Sequence, residues 1–552
     1  MSRWVAIALA MALIPLAGCF GKSSETSSEA PVHVHSATNT TVAPVAAAPA
    51  PRFPHYPSDG ASELTDTEIQ SFDAHKIPVT IYKPKVADAT HQVPVILQSH
   101  GFTGHREKGA DAFKAYIAAG FGVVSFDERG HGDSMDDSEV QFMDPNYEVK
   151  DIEKIIDEVA TWDWVLLDGP GDPRLGGIGY SYGGAFQLMG AIFDPRFDAI
   201  VPEITWNDIA DALAPNGAIK SGWVDLFYVA GNAQQTVKFS NDFHVGWLWA
   251  TSTNQLPAGQ APGIPDLVSR FHADSPKAYP EKLRIPTLLI QGMPDTLFPL
   301  NQAVANLRIL EANNVSSSLY THLRGHIANT ASLKPGTAPH DVGLQGLPGG
   351  DPCGKVVDLS IRWHLKYLLG QNVTPMPRVC LALEDETTVT GAAFPLSGTE
   401  MRPIALAGPT PIVEAPAGAS VNLPLFTPDK ETVVAGIPHL KGTITAAGAD
   451  AIVYFSLQIP GRNDPIESIV DDQVFPIRIA GPVVNQPFEL DLGGVGVRLA
   501  AGEALVLTAS TVTPMFFGNA EREPGAVVLD GLTLELPIVP ADAPAMTATA
   551  AP

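Results

Sequence analysis

The sequence predicts a doubly wound α/β domain with a mostly parallel sheet, interrupted by an inserted lid and followed by an all-β, jelly-roll-like sandwich. Three observations carry this. From Ile77 to about Leu369, short β-branched runs alternate with amphipathic helical segments. Between Asn207 and about Lys282 that rhythm breaks, and aromatic residues crowd in: Trp223, Phe227, Tyr228, Phe239, Phe243, Trp247, Trp249 and Phe271. After Cys380 helical periodicity disappears, and short apolar runs alternate with Pro and Gly turns. A length of 552 residues suits more than one domain, and a composition 45% hydrophobic and 17% charged can fill large cores.

The chain starts with a targeting pattern. Positive charge in Met1-Ser-Arg3 precedes the apolar run Trp4–Leu16, too short to span a bilayer as a stable helix. The run ends in Leu16-Ala-Gly-Cys19, which resembles the bacterial lipobox. That resemblance implies cleavage before Cys19, lipidation of its thiol and attachment to a membrane, the outer one if the cell is Gram-negative. Residues 20–58 are rich in Ser, Thr, Ala and Pro and read as a disordered tether; His33 and His35 within it read as polar filler. With Cys19 assigned to lipid, Cys353 and Cys380 remain as an even pair in an exported chain, which predicts a disulfide.

The catalytic domain is expected over 59–380. Strands are predicted at 77–84, 93–100, 122–127, 197–206, 285–292 and 316–323, each short, β-branched and flanked by turn residues. A helix is predicted over 108–120, stopped by Gly120, and another over 149–167, where Ile152, Ile155, Ile156, Val159 and Trp162 fall on one face. The aromatic insertion at about 207–282 is expected to wall a substrate pocket. A β-sandwich is expected over 381–540, with a frayed tail at 541–552.

Chemistry enters at Leu175–Gly184, "LGGIGYSYGG". Here Gly179-Tyr-Ser181-Tyr-Gly183 lies between a short apolar strand and a helical run. Glycines flanking the serine permit the tight strand-to-helix turn that projects a nucleophilic hydroxyl. A serine hydroxyl needs a base and an orienting acid. Asp295 follows the strand "IPTLLI" and His326 follows "SSSLYTHL", both at the strand ends where an open parallel sheet builds its site. His322 inside its strand, His340 and His364 are rival bases. "SHGFTGHRE" (99–107) reads as the oxyanion loop, with the backbone N–H groups of Phe102 and Tyr182 as donors. Asp127, Arg129 and His131 in "FDERGHGDS" read as braces rather than reactants.

These residues bear a family resemblance. "DERGHGDS", "GIGYSYGG", "DPRFDAIVPEITWND", "SPKAYPEKLRIPTLLIQGMPDTLFP" and "GGDPCG" resemble the α/β-hydrolase superfamily, in particular the X-Pro dipeptidyl-peptidase/cocaine-esterase (peptidase S15-like) group. The resemblance spans roughly residues 75–540 and implies a serine acyl hydrolase that needs neither metal nor organic cofactor. It also implies an inserted lid and a trailing jelly-roll domain. One departure is visible: members of that group place a tyrosine side chain in the oxyanion hole, and "SHGFTGH" has none, which points to backbone donors instead.

Two substrate classes follow, a peptide with penultimate proline or an ester of a small acyl group. A dipeptidyl-peptidase must hold a free ammonium group, and burying that cation demands a carboxylate. Glu203, Asp208 and Asp211, beside Trp206, are the candidates, and they read equally well as ordinary solvated acids. A catalytically inactive binding protein is the alternative outside the enzymes. A formal net charge of −26 argues against a nucleic-acid partner, since such binding needs clustered Lys and Arg. Membrane contact is expected only through the lipid.

Overall fold

A computed structural model describes residues 53–326, 350–413, 419–448, 450–462, 473–513, 515–516 and 526–546. The expected signal, the expected lipidation site Cys19 and the rival His340 lie outside the described residues. Twelve strands lead the chain: β1 (Ser62–Gln70), β2 (Lys76–Pro84), β3 (Val95–Ser99), β4 (Gly122–Phe126), β5 (Leu167–Gly169), β6 (Asp172–Pro173), β7 (Leu175–Tyr180), β8 (Phe197–Glu203), β9 (Thr287–Gly292), β10 (Ser317–His322), β11 (Val379–Ala382) and β12 (Thr388–Gly391). All but the small β5–β6 hairpin form one sheet, in the order β1-β2-β4-β3-β7-β8-β9-β10-β11-β12. From β4 to β11 every pair is parallel. The pairs at the two margins are antiparallel.

The central strands are apolar along their whole length because both faces are covered. Every residue of β3 and β4 is buried. The helix Tyr182–Phe193 packs on β7 and β8, Leu300–Ala312 on β9 and β10, and Val356–Leu369 on β7 and β8. Since parallel strands all end on one side, the loops after β3, β7, β9 and β10 converge there, and those loops carry the expected site.

Several boundaries differ from the sequence reading. The helix expected over 108–120 is only Lys114–Ala118. The one expected over 149–167 is Glu148–Val159. It stops where Thr161 Oγ1 donates to Glu158 O (2.7 Å), a local bond that competes with the helical ladder. Residues 53–58 are not tether: Phe53 N donates to Leu369 O and Ser58 N to Ala118 O, and Phe53 stacks under Arg174. The catalytic sheet continues past 380, since β11 and β12 extend it to Gly391. The tail is docked as far as residue 546, because Thr390 N donates to Pro544 O and Met546 N to Thr388 Oγ1.

Beyond Gly391 the elements among the described residues are strands. A seven-stranded and a four-stranded sheet, antiparallel where paired, enclose Val434, Leu440, Phe455, Leu507 and Leu534. Between β8 and β9 lies the lid, whose helices are Ile209–Leu213, Ser221–Gln234, Asn241–Thr253 and Leu267–Ala273. It is stitched to the loop after β4 by bridges His131–Val237 and Val140–Phe239.

Candidate active site

Ser181 follows β7 directly and opens the helix Tyr182–Phe193 with φ = 56°, a left-handed conformation costly for a non-glycine residue. The two flanking glycines are required by close approach. A Cβ on Gly179 would lie 2.4 Å from Gly183 O, and one on Gly183 would lie 2.3 Å from Ser99 O. With no side chains there, the turn can be this tight, and the hydroxyl points off the strand end toward the lid.

The structure brings the three distant residues together. Ser181 Oγ lies 2.8 Å from His326 Nε2, and His326 Nδ1 lies 2.8 Å from Asp295 Oδ2. Asp295 is wholly buried, and its Oδ1 accepts N–H bonds from Leu297 and Phe298, both 2.9 Å. Oδ2 also accepts from Gln291 Nε2 (3.3 Å), so it faces His326 as an acceptor, Nδ1 is the donor and Nε2 faces the serine as an acceptor. The imidazole is packed edge-on against Phe298 (5.0 Å between centroids) and Trp223 (5.6 Å). Of the rivals, His322 is buried against Glu203 (3.1 Å) and His364 bonds to Ser360 O (2.9 Å).

Lys220 from the lid is buried beside this acid, donating to Leu297 O (2.8 Å). Desolvation pushes its pKa down to about 7, partly offset by the Asp295 carboxylate. Sequence reading missed it, because a lone Lys in an insertion carries no spacing signal.

Phe102 and Tyr182 are neighbours, their rings 5.7 Å apart. Among the described residues neither backbone N–H has an acceptor. Gly101 carries the loop close to β7: a Cβ there would meet the Tyr180 ring at 2.6 Å. Behind the loop, burial raises Glu148 to about 8, and Tyr182 Oη donates to it (3.2 Å). Burial likewise drives Glu128 up and His131 down. Asp127 pairs with Arg106, and Arg129 with Asp73 (2.8 Å) and Asp151 (2.5 Å), so these acids and bases hold the loops together.

A cavity of about 100 Å³ opens at Ser181, walled by core residues such as Phe102, Trp206 and Phe298 and by lid residues such as Phe227, Phe239 and Trp247. Among the described residues no charged side chain lines it. The three acids considered for an ammonium group point elsewhere. Glu203 is buried under His322 and Arg324, while Asp208 caps a lid helix and pairs with His272 (2.7 Å) and Lys277 (3.2 Å). Asp211 also pairs with Lys277. Asp208, Asp211 and His272 have ligand atoms within 4.8 Å of one another, but the Lys277 ammonium already pairs with both carboxylates. Cys353 and Cys380 are joined, their Cα atoms 5.9 Å apart.

Residues 73–328 match the family model described as X-Pro dipeptidyl-peptidase (S15 family). An Escherichia coli protein described as an uncharacterized 31.7 kDa protein in the traX-finO intergenic region is 30% identical over 125 residues, 22% of this chain. The match spans 41% of that relative's own length. Three solved structures share the fold. A CocE/NonD family hydrolase from Staphylococcus aureus has a TM-score of 0.59 at 14% identity, covering 86% of this chain and 93% of that one. An aminopeptidase from the marine sediment archaeon Thaumarchaeota archaeon has a TM-score of 0.64 at 15% identity, covering 88% and 98%. An alpha-amino acid ester hydrolase has a TM-score of 0.56 at 14% identity, covering 88% and 98%.

Proposed function

We propose that this chain is an S15-like α/β-hydrolase that cleaves esters or amides of uncharged, apolar acyl groups through an acyl-enzyme formed on Ser181. His326 Nε2 takes the hydroxyl proton as Oγ attacks the carbonyl carbon, and the backbone N–H groups of Phe102 and Tyr182 receive the oxyanion. The proton then passes to the departing oxygen or nitrogen. Water, deprotonated by the same imidazole, releases the acid and restores Ser181. Asp295 holds the imidazole in the tautomer this sequence needs and offsets its positive charge.

The observation that carries this reading is the continuous Ser181–His326–Asp295 hydrogen-bond chain opening on a cavity whose described wall holds no charged side chain. The apolar wall favours the acyl esterase over the dipeptidyl-peptidase, because a bound ammonium group would there lack a carboxylate. The family match keeps penultimate-proline peptides as the second reading. A panel on the purified chain separates them. Short p-nitrophenyl esters should react well, and Ala-Pro-anilide no better than its N-acetyl form. Cleavage of the free peptide that is lost on acetylation would overturn the esterase in favour of the peptidase. The pattern ending at Cys19 supports export and lipid anchoring. Labelled palmitate should enter the wild-type chain in its host and not Cys19→Ala; equal labelling of both would refute the anchor.

A further inference from the structure

The turn that carries Asp295 is gripped from two sides by parts of the chain outside the catalytic sheet. On the lid side, Lys220 donates to Leu297 O (2.8 Å) and Trp223 Nε1 to Thr296 Oγ1 (3.1 Å). On the other side stands Gln473 of the β-sandwich, itself buried. Its Nε2 donates to Asp295 O (3.0 Å) and to Met293 O (3.3 Å). Thus both hydrogens of one side-chain amide are spent on the backbone of the acid's own turn, on carbonyls that strand β9 has just stopped pairing. A buried carbonyl without a donor costs free energy, so these two bonds fix where the turn sits.

The same stretch of the sandwich also holds the lid. Pro476 O accepts from Asn216 Nδ2 (2.9 Å), and Arg478 donates to Gly217 O (3.0 Å) and Asn254 O (2.8 Å). Residues 473–478 therefore tie acid turn and lid into one body. Packing reinforces the contact: a Cβ on Gly493 would meet Gln473 Cβ at 2.7 Å, and one on Gly494 would meet Leu300 Cβ at 2.6 Å.

We propose that the β-sandwich is a positioning element of the active site, acting through Gln473 on the turn that presents Asp295 to His326. The proposal rests on the Ser–His–Asp reading above. Gln473 touches neither the substrate cavity nor the imidazole, so its loss should act on the chemical step and spare substrate binding. The charged groups nearest the Asp295 carboxylate are His326 and Lys220, and both remain in the variant.

The test uses the full chain with Gln473→Leu, which keeps bulk but donates nothing. A displacement of about 1 Å in a catalytic group can cost on the order of 100-fold. The expected result is kcat on a p-nitrophenyl ester lower by about 10- to 100-fold with KM within about twofold. A role confined to domain docking would lower the melting temperature and leave kcat at the wild-type value, and would overturn the proposal. An independent readout is the downfield proton on His326 Nδ1, which should broaden or shift in Gln473→Leu even if no ester is turned over. An unchanged resonance would overturn the proposal regardless of activity. Should Gln473→Leu fail to fold, Gln473→Glu places an acceptor against the same two carbonyls and should give the same losses; wild-type kcat there would be equally fatal. Failure of the triad reading looks different: wild-type Ser181 would not react with a fluorophosphonate.

Discussion

The Asp295 carboxylate has no freedom to swing, with Oδ1 taken by two backbone N–H groups and Oδ2 by the imidazole and the Gln291 amide. In Asp295→Asn the amide must set its NH₂ group against one of these donors, and the relaxed answer is the wrong imidazole tautomer. We expect kcat to fall on the order of 10⁴-fold, while Ser181→Ala abolishes turnover with an unchanged melting temperature. Wild-type turnover in Ser181→Ala would remove the nucleophile. A second residue-level consequence concerns Glu148, raised by burial from 4.5 to about 8. Folding favours its neutral form, so this contribution is complete below pH 4.5 and is lost as pH rises through 8. Melting temperature should therefore drop between pH 5 and 9, and Glu148→Gln should flatten the drop; an identical pH slope in the variant would contradict this. The hydrogen-bonded cluster of Ser181, His326 and Asp295 was legible because each member stands just past its own strand, a local signal. Glu203, Asp208 and Asp211 were not, since their partners His322, Arg324, His272 and Lys277 are distant in sequence and only the fold reveals that those charges are already satisfied.

Strands were easier to find than their limits. The parallel ones announce themselves as unbroken apolar runs, whereas β1, "SELTDTEIQ", lies at an edge with most side chains in water and offers no such run. The helix over 114–118 was overestimated because good helix formers before it are used in turns instead. Past β10, the segment bearing His326 is bounded by fixed points. Leu323 N donates to Gly350 O (2.7 Å), Arg324 reaches Glu203 (3.5 Å) and also pairs with Asp351, and Cys353 is tied to Cys380 on β11. A covalent tie across 27 residues removes unfolded-state entropy worth about 3.5 kcal/mol in the chain-entropy treatment. Reduction, or Cys353→Ser, should lower the melting temperature by several degrees, and non-reducing peptide mapping should recover the two cysteines in one species. Free alkylation of both thiols in native protein would show that the tie is not made.

At the scale of the whole molecule, composition shifts separated an α/β part from a β part, and missed how tightly they join. The boundary near 380 was placed at a cysteine, while the sheet itself runs to Gly391. Contacts such as Asn301 Nδ2 to Leu492 O (3.1 Å) cannot be read from either segment alone. So extensive a seam predicts a single calorimetric transition with matching calorimetric and van't Hoff enthalpies; two resolved peaks would show that the parts melt separately. The docked segment 543–546 adds something further. The chain leaves the catalytic sheet after Gly391, builds the sandwich, and comes home to β12 through Pro544 and Met546. In mechanical terms the sandwich is a closed loop with both feet on one foundation. Tension applied at residue 546 is borne first by β12 and the foundation sheet, and the sandwich stays slack until that clasp opens.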